Sequence, residues 1–240
     1  MAHELECRWT DIDVGDKPMS AYLASHRDAA PRPAVIVLQE IFGVTPHLRA
    51  LTERIAAEGY TAVAPDVFHR QGDRLETDYA RPEPGVERMH RLRDDDFLRD
   101  IDGLLRWLGG RGGEAHIPVG VVGFSMGGRL AFLTACSKRI DAAAAFYPAG
   151  VEPALLERAA HLRCPLLLLF GGDDQTLPAP AIEQMRAALA AQSQPFEITV
   201  YPDARHGFFC GERDSYQPAA AEAAWTRLHA HLAQHLQMKR

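Results

Sequence analysis

The reading turns on Pro118 to Arg129, PVGVVGFSMGGR. Val119, Val121 and Val122 form a short β-branched apolar run, the pattern of a strand buried on both faces. The run stops at Gly123, and Phe124, Ser125, Met126, Gly127 and Gly128 make a Gly-rich corner before Arg129 to Ala135, which reads as a packed helix. The corner fits G-x-S-x-G, a strained strand-to-helix turn that needs almost no side chain two residues before and two after the Ser. Gly123 and Gly127 meet that demand. Such a turn aims the Ser125 hydroxyl and the backbone N–H of Met126 at one point near a helix N-terminus, where developing negative charge is stabilised. G-x-S-x-G arises by composition in roughly one chain in ten of this length, so the surrounding elements decide its meaning.

Those elements alternate. Glu6 to Asp13 and Met19 to Ser25 predict two antiparallel strands joined by a turn at Gly15 to Pro18. Ala34 to Leu38, AVIVL, is a continuous apolar strand that ends in Gln39, Glu40, Ile41, Phe42 and Gly43. A helix follows from Pro46 to Glu58, stopped by Gly59, and Tyr60 to Ala64 is another buried strand. Asp66 to Glu87 is irregular and charged, a length more typical of a functional excursion than of a connector. Arg88 to Leu108 predicts one long helix with Leu92, Phe97, Ile101, Leu104, Leu105 and Leu108 on its core face, and its charges read as a solvated face. Gly109 to Gly113 reads as a loop. Gly110 to Ala115 fits G-x-G-x-x-A, but it precedes a strand instead of following one, which excludes a dinucleotide site. Beyond the Ser125 corner come strands at Ala142 to Tyr147, Leu166 to Phe170 and Phe196 to Tyr201, with helices at Pro180 to Ala191 and Pro218 to Leu236. Strands alternating with helices imply one α/β domain over residues 1–240, built on a single mainly parallel sheet covered on both faces.

Composition narrows the function. Hydrophobic residues make up 47% and charged residues 24% of the 240, ordinary for a soluble globular chain. A net charge of −6 with dispersed Lys and Arg gives no footprint for nucleic acid. MAHELECRWTDID has no apolar h-region, and no run approaches a membrane span, so the expected setting is cytoplasmic with no membrane partner. Cys7, Cys136, Cys164 and Cys210 are scattered without a C-x-x-C, consistent with reduced thiols.

In a parallel sheet, ligands bind outside the carboxyl ends of the strands. Glu40, Ser125, Asp173 or Asp174, and His206 each fall just after a predicted strand. The set is chemically complete: a Ser hydroxyl needs a His to accept its proton, and the His needs a carboxylate to hold its tautomer. Of eleven histidines, His206 alone combines a late position, a loop after a strand and a following Gly. Asp203 reads as a turn residue. His229, His231 and His235 lie on the last helix. The pair His231 and His235 has i, i+4 metal-ligand spacing but no third ligand nearby in sequence, so it reads as a solvated face, and no metal or cofactor is expected.

These motifs resemble those of the dienelactone hydrolase family, of the α/β-hydrolase fold, over nearly the whole chain. LQEIFGV (38–44), APD (64–66), GFSMGG (123–128), GGDDQTLP (171–178) and YPDARHGF (201–208) are similar to its successive signatures. The resemblance implies that Asp174, and not Asp173, is the acid, because G-x-x-D-x-x-x-P runs from Gly171 to Pro178. It also implies that the N–H of Ile41 joins that of Met126 in an oxyanion hole, with Glu40 beside the nucleophile. Dienelactone hydrolases proper use a Cys nucleophile, and here the position is Ser125. A serine hydroxyl is too weak an acid to be ionised by a carboxylate such as Glu40, so the proton falls to His206. Family members that act on dienelactone hold its carboxylate with Arg, one closely following the His; this chain has none between His206 and Arg213, and Arg81 is the candidate positive contact. The expectation is a cofactor-independent serine hydrolase for a small carboxylic ester or lactone, a monomer or small homo-oligomer, with Phe42, Phe208 and Phe209 as candidate pocket lining.

Overall fold

The computed structural model describes residues 4–28, 30–111, 116–151 and 153–238. The chain resolves into two compact units, 1–120 with 236–240, and 121–235. In the first, β1 (Leu5–Ile12) pairs antiparallel with β2 (Met19–His26), which pairs antiparallel with β4 (Thr61–Pro65). β4 in turn runs parallel to β3 (Ala34–Leu38). Every residue of β3 is buried, as a strand covered on both faces requires. Helix α1 (Pro46–Ala57) starts where Thr45 caps it, its hydroxyl accepting from the Leu48 N–H at 3.4 Å with Pro46 as the first helical residue, and it buries Leu48, Leu51, Thr52, Ile55 and Ala56.

The predicted single helix from Arg88 to Leu108 is two. α2 (Glu83–Arg91) opens inside the stretch read as irregular, and the chain breaks at Leu92, whose extended backbone ends the helix. α3 (Asp94–Arg111) then restarts with Asp94, Asp95 and Asp96 in its first turn. Three acids favour a helix N-terminus, where their charge meets the positive end of the dipole, and this run marks a beginning that periodicity alone hides. α3 also continues through Gly109 and Gly110, where the glycine-rich sequence predicts a loop. The remainder of that glycine stretch, 112–115, lies outside the described residues.

The second unit holds the carboxyl-terminal part of β5 (Val119–Phe124), then α4 (Met126–Ser137), β6 (Ala142–Phe146), β7 (Leu166–Gly171), α6 (Ala179–Ala190), β8 (Phe196–Tyr201) and α7 (Pro218–His235). A short helix α5 (Pro153–Leu156) and a 3₁₀ turn (Glu157–His161), neither of them expected, lie between β6 and β7. β6, β7 and β8 are parallel, with Ala143 opposite Leu166 and Leu166 opposite Phe196. All of β6 and β7 is buried, while β8 is half-exposed along its length, the mark of a last strand. Strand pairing follows the order β1-β2-β4-β3-β5-β6-β7-β8, so the sheet is single and mostly parallel. No helix among the described residues is long and apolar enough to cross a membrane.

Candidate active site

Ser125 stands at the turn between β5 and α4 with φ +52° and ψ −114°, a conformation that costs a non-glycine residue free energy. The surroundings enforce it. The Ser125 N–H donates to the Phe146 carbonyl at 3.0 Å, and its own carbonyl accepts from Arg129 at 3.0 Å and Ala149 at 3.2 Å. A Cβ on Gly123 would meet the Gly127 carbonyl oxygen at 1.9 Å, so the two glycines of the motif touch through bare backbone. Gly128, which the motif does not include, is as constrained: a Cβ there would meet the Phe146 oxygen at 2.7 Å. Its signal in the sequence was only the doubled glycine.

The Ser125 Oγ lies 2.8 Å from His206 Nε2, and His206 Nδ1 lies 2.7 Å from Asp174 Oδ2. A carboxylate can only accept, so Nδ1 carries the hydrogen of the second contact and Nε2 presents its lone pair to the Ser125 hydroxyl. The other oxygen of Asp174 accepts from the backbone N–H groups of Thr176 at 2.8 Å and Leu177 at 3.2 Å. Three hydrogen bonds therefore hold a carboxyl whose side chain is wholly inaccessible, while His206 keeps 17% of its side chain exposed. Asp173, one residue earlier, is exposed, and among the described residues its Oδ1 accepts a long 3.4 Å contact from Gln175. The loops after β7 and β8 are laced together: Gly172 N–H donates to Tyr201 at 2.7 Å and Asp173 N–H to Ala204 at 3.0 Å. That lacing sets Asp174 against His206. At Gly207, φ is +79°, which lets the chain turn directly after the histidine.

Met126 is the first residue of α4, whose N-terminal N–H groups receive no cap from the Ser125 side chain. Its N–H is the first of the helix, directly after Ser125, at the positive end of the dipole. Tyr147 escaped the sequence reading. It is 1% exposed, has φ +36°, and its ring stands edge-on to that of His206 at 5.0 Å. The only cue was an aromatic residue between the end of a strand and Pro148.

The remaining candidates belong to the other unit or to the core. Glu40 is 8% exposed, just past β3, and Ile41 and Phe42 form the turn closed by a Gly43 to Glu40 hydrogen bond of 3.4 Å. The excursion packs on this turn: Thr77 N–H donates to the Phe42 carbonyl at 2.9 Å, and the Tyr79 ring lies 4.6 Å from that of Phe42. Arg81 projects from the excursion with 79% of its side chain exposed, 3.4 Å from Asp78. Phe208 has no accessible surface and packs 5.3 Å from Tyr147 and 5.3 Å from Tyr201, so it stands behind any pocket and does not line one. Phe209, 5% exposed, joins the same cluster against Phe124 and Phe146. The expectation of Phe208 as a lining residue is corrected on this ground: an aromatic ring beside a motif was equally the signature of core.

His231 also departs from its reading as a solvated residue. It is half-buried, burial and the nearby His235 push its pKa down to about 4, and the two rings are 4.8 Å apart.

Residues 19–236 match the model of the dienelactone hydrolase family. The chain belongs to that family. It is 37% identical over 230 residues to a protein of Escherichia coli K12 named "Putative carboxymethylenebutenolidase", covering 92% of this chain and 84% of that one. A Yersinia pestis protein of the same name is 36% identical over 243 residues, covering 97% and 90%. Among solved structures, a Klebsiella pneumoniae protein named "Putative Dienelactone Hydrolase" superposes with a TM-score of 0.88 at 35% identity, over 97% of this chain and all of that one. The fold is therefore that of the α/β-hydrolases, and the family is one of hydrolases.

Proposed function

We propose that this dienelactone hydrolase family member is a serine hydrolase that cleaves a small carboxylic ester or lactone, of carboxymethylenebutenolidase type, through an acyl-enzyme. The observation that carries the reading is the unbroken hydrogen-bonded line from Ser125 Oγ through His206 to Asp174. Ser125 Oγ attacks the carbonyl carbon as its proton passes to His206 Nε2, and Asp174 keeps the ring oriented and favours the imidazolium. The tetrahedral oxyanion is met by the Met126 N–H and, by family likeness, the Ile41 N–H. Collapse expels the alcohol oxygen, which takes the proton from His206; in a lactone that oxygen stays tethered to the acyl group. Water, deprotonated by His206, then attacks the acyl-enzyme, and the acid leaves as Ser125 recovers its proton.

No cofactor enters these steps. Arg81 and Phe42 are the residues we put nearest the substrate's polar and apolar ends, and a cytoplasmic setting with free thiols fits the same reading. The test is hydrolysis of a panel of p-nitrophenyl esters and small lactones with product analysis, with added alcohols to reveal acyl transfer. The reading expects free acid as the product and turnover abolished in Ser125→Ala. Turnover that survives that substitution contradicts it.

A further inference from the structure

A second cluster lies at the other end of β7 and β8. Asp174 and His206 follow the carboxyl ends of these strands, whereas Leu166 and Phe196, which begin them, line a cavity of about 300 Å³ together with Glu197, Arg227, His231 and His235. Six residues of strand separate the two ends, on the order of 20 Å. The triad makes no use of this cavity.

His231 and His235 sit one turn apart on α7, the spacing that puts side chains on one helix face. Nε2 of His231 is buried and has no hydrogen-bond partner among the described residues. The ring also hydrogen-bonds to the backbone of Ala143 on β6, in the sense that favours the charged ring, so the Ala143 carbonyl accepts. With Nε2 unpartnered, that bond runs through Nδ1. An Nδ1–H held by a carbonyl fixes the tautomer that keeps the lone pair on Nε2, the arrangement found behind metal-ligating histidines. Burial already keeps the ring neutral, as a ligand must be.

The ring geometry agrees. With an imidazole nitrogen about 2.1 Å from a zinc-like ion, each ring centre lies about 3.2 Å from it. Centroids 4.8 Å apart then subtend an angle of about 100° at the ion, within the range of adjacent ligands. At the rim the Glu197 carboxylate pairs with Arg227 and accepts from Thr199 at 3.2 Å, so the two charges offset each other there.

We infer that His231 and His235 form a binding site for one divalent transition-metal ion of the Zn²⁺ type, with water completing the coordination. Among the described residues no group of three or more His, Cys, Asp or Glu is placed to hold a metal, so two imidazoles are the protein's share. Imidazole ligands suit Zn²⁺ over Mg²⁺ or Ca²⁺. The bound ion pins the last turns of α7 and occupies the orphaned Nε2.

Isothermal titration of the full chain with Zn²⁺ in a non-coordinating buffer tests this, comparing wild type with His231→Gln, His235→Gln and His229→Gln, the last an exposed residue of the same helix. One ion per chain should bind wild type and His229→Gln. Each of His231→Gln and His235→Gln should weaken Kd by about tenfold or more, and the Zn²⁺-induced rise in Tm should vanish with it. His235 is only half-buried at the end of the helix, so its variant reports on binding even if loss of His231 disturbs packing. A wild type that binds no Zn²⁺, or an isotherm unchanged in His235→Gln because the ion sits elsewhere, such as on the exposed Cys7 thiol, overturns the proposal.

Discussion

Asp174 with His206 and Asp100 with His69 are the same chemical pair in two settings. The contacts are similar, 2.7 Å in the first and 3.0 Å in the second, and both carboxylates are buried. They differ in what the second imidazole nitrogen meets. In His206 it faces the hydroxyl of a serine held in a strained turn, and the ring keeps some access to solvent. In His69 it faces the carbonyl of Pro18 at 3.3 Å, and the side chain is 1% exposed. Asp100 has a further partner as well, the Arg70 guanidinium at 2.5 Å, which itself reaches Asp16. Both nitrogens of His69 thus face acceptors and none faces a nucleophile. An acid and a histidine in contact make a structural tie; a free lone pair aimed at a hydroxyl makes a base.

The contrast can be broken from either side. Ser125→Ala should lower kcat for ester hydrolysis by about 10⁶-fold and leave Tm within a degree or two, measured by steady-state kinetics and calorimetry. Asp174→Asn should lower kcat by about 10⁴-fold by releasing the tautomer, while Asp173→Asn, at an exposed residue, stays within about twofold. A reversal of those two would move the acid by one residue. Asp100→Ala should do the opposite of Ser125→Ala. Removing one partner of a buried pair costs about 3 kcal/mol, seen in urea unfolding, with kcat changed less than about twofold. Smallest is Thr45→Ala, which deletes the cap of α1 and costs about 1 kcal/mol in the same assay.

How much of this was legible depended on the kind of signal. β3 and β8 match their sequence-read bounds residue for residue, because uniform burial or a final edge writes a clear pattern into five or six residues. The elbow was legible because Gly123 has no room for a Cβ, a demand that sequence displays directly. α2 was hidden since its nine residues bury only Gly85, leaving no apolar stripe to see. Asp174 and Asp173 could not be separated by residue type; the family pattern chose, and the 2.7 Å contact from His206 lies on the same residue. Tyr147 and the burial of His231 depend on tertiary neighbours, His206 for one and β6 for the other, which no local pattern encodes. The same holds for Phe208, whose packing between two tyrosines makes it core.

The central claim is that Ser125 is activated by His206. Its most direct test is intact-mass and peptide-level mass spectrometry of the purified protein after exposure to a fluorophosphonate, beside Ser125→Ala. The account predicts one phosphonyl adduct per chain, located on Ser125, slowed by orders of magnitude in His206→Gln and absent in Ser125→Ala. A folded wild-type protein that takes up no label, or takes it up at another residue, would contradict it.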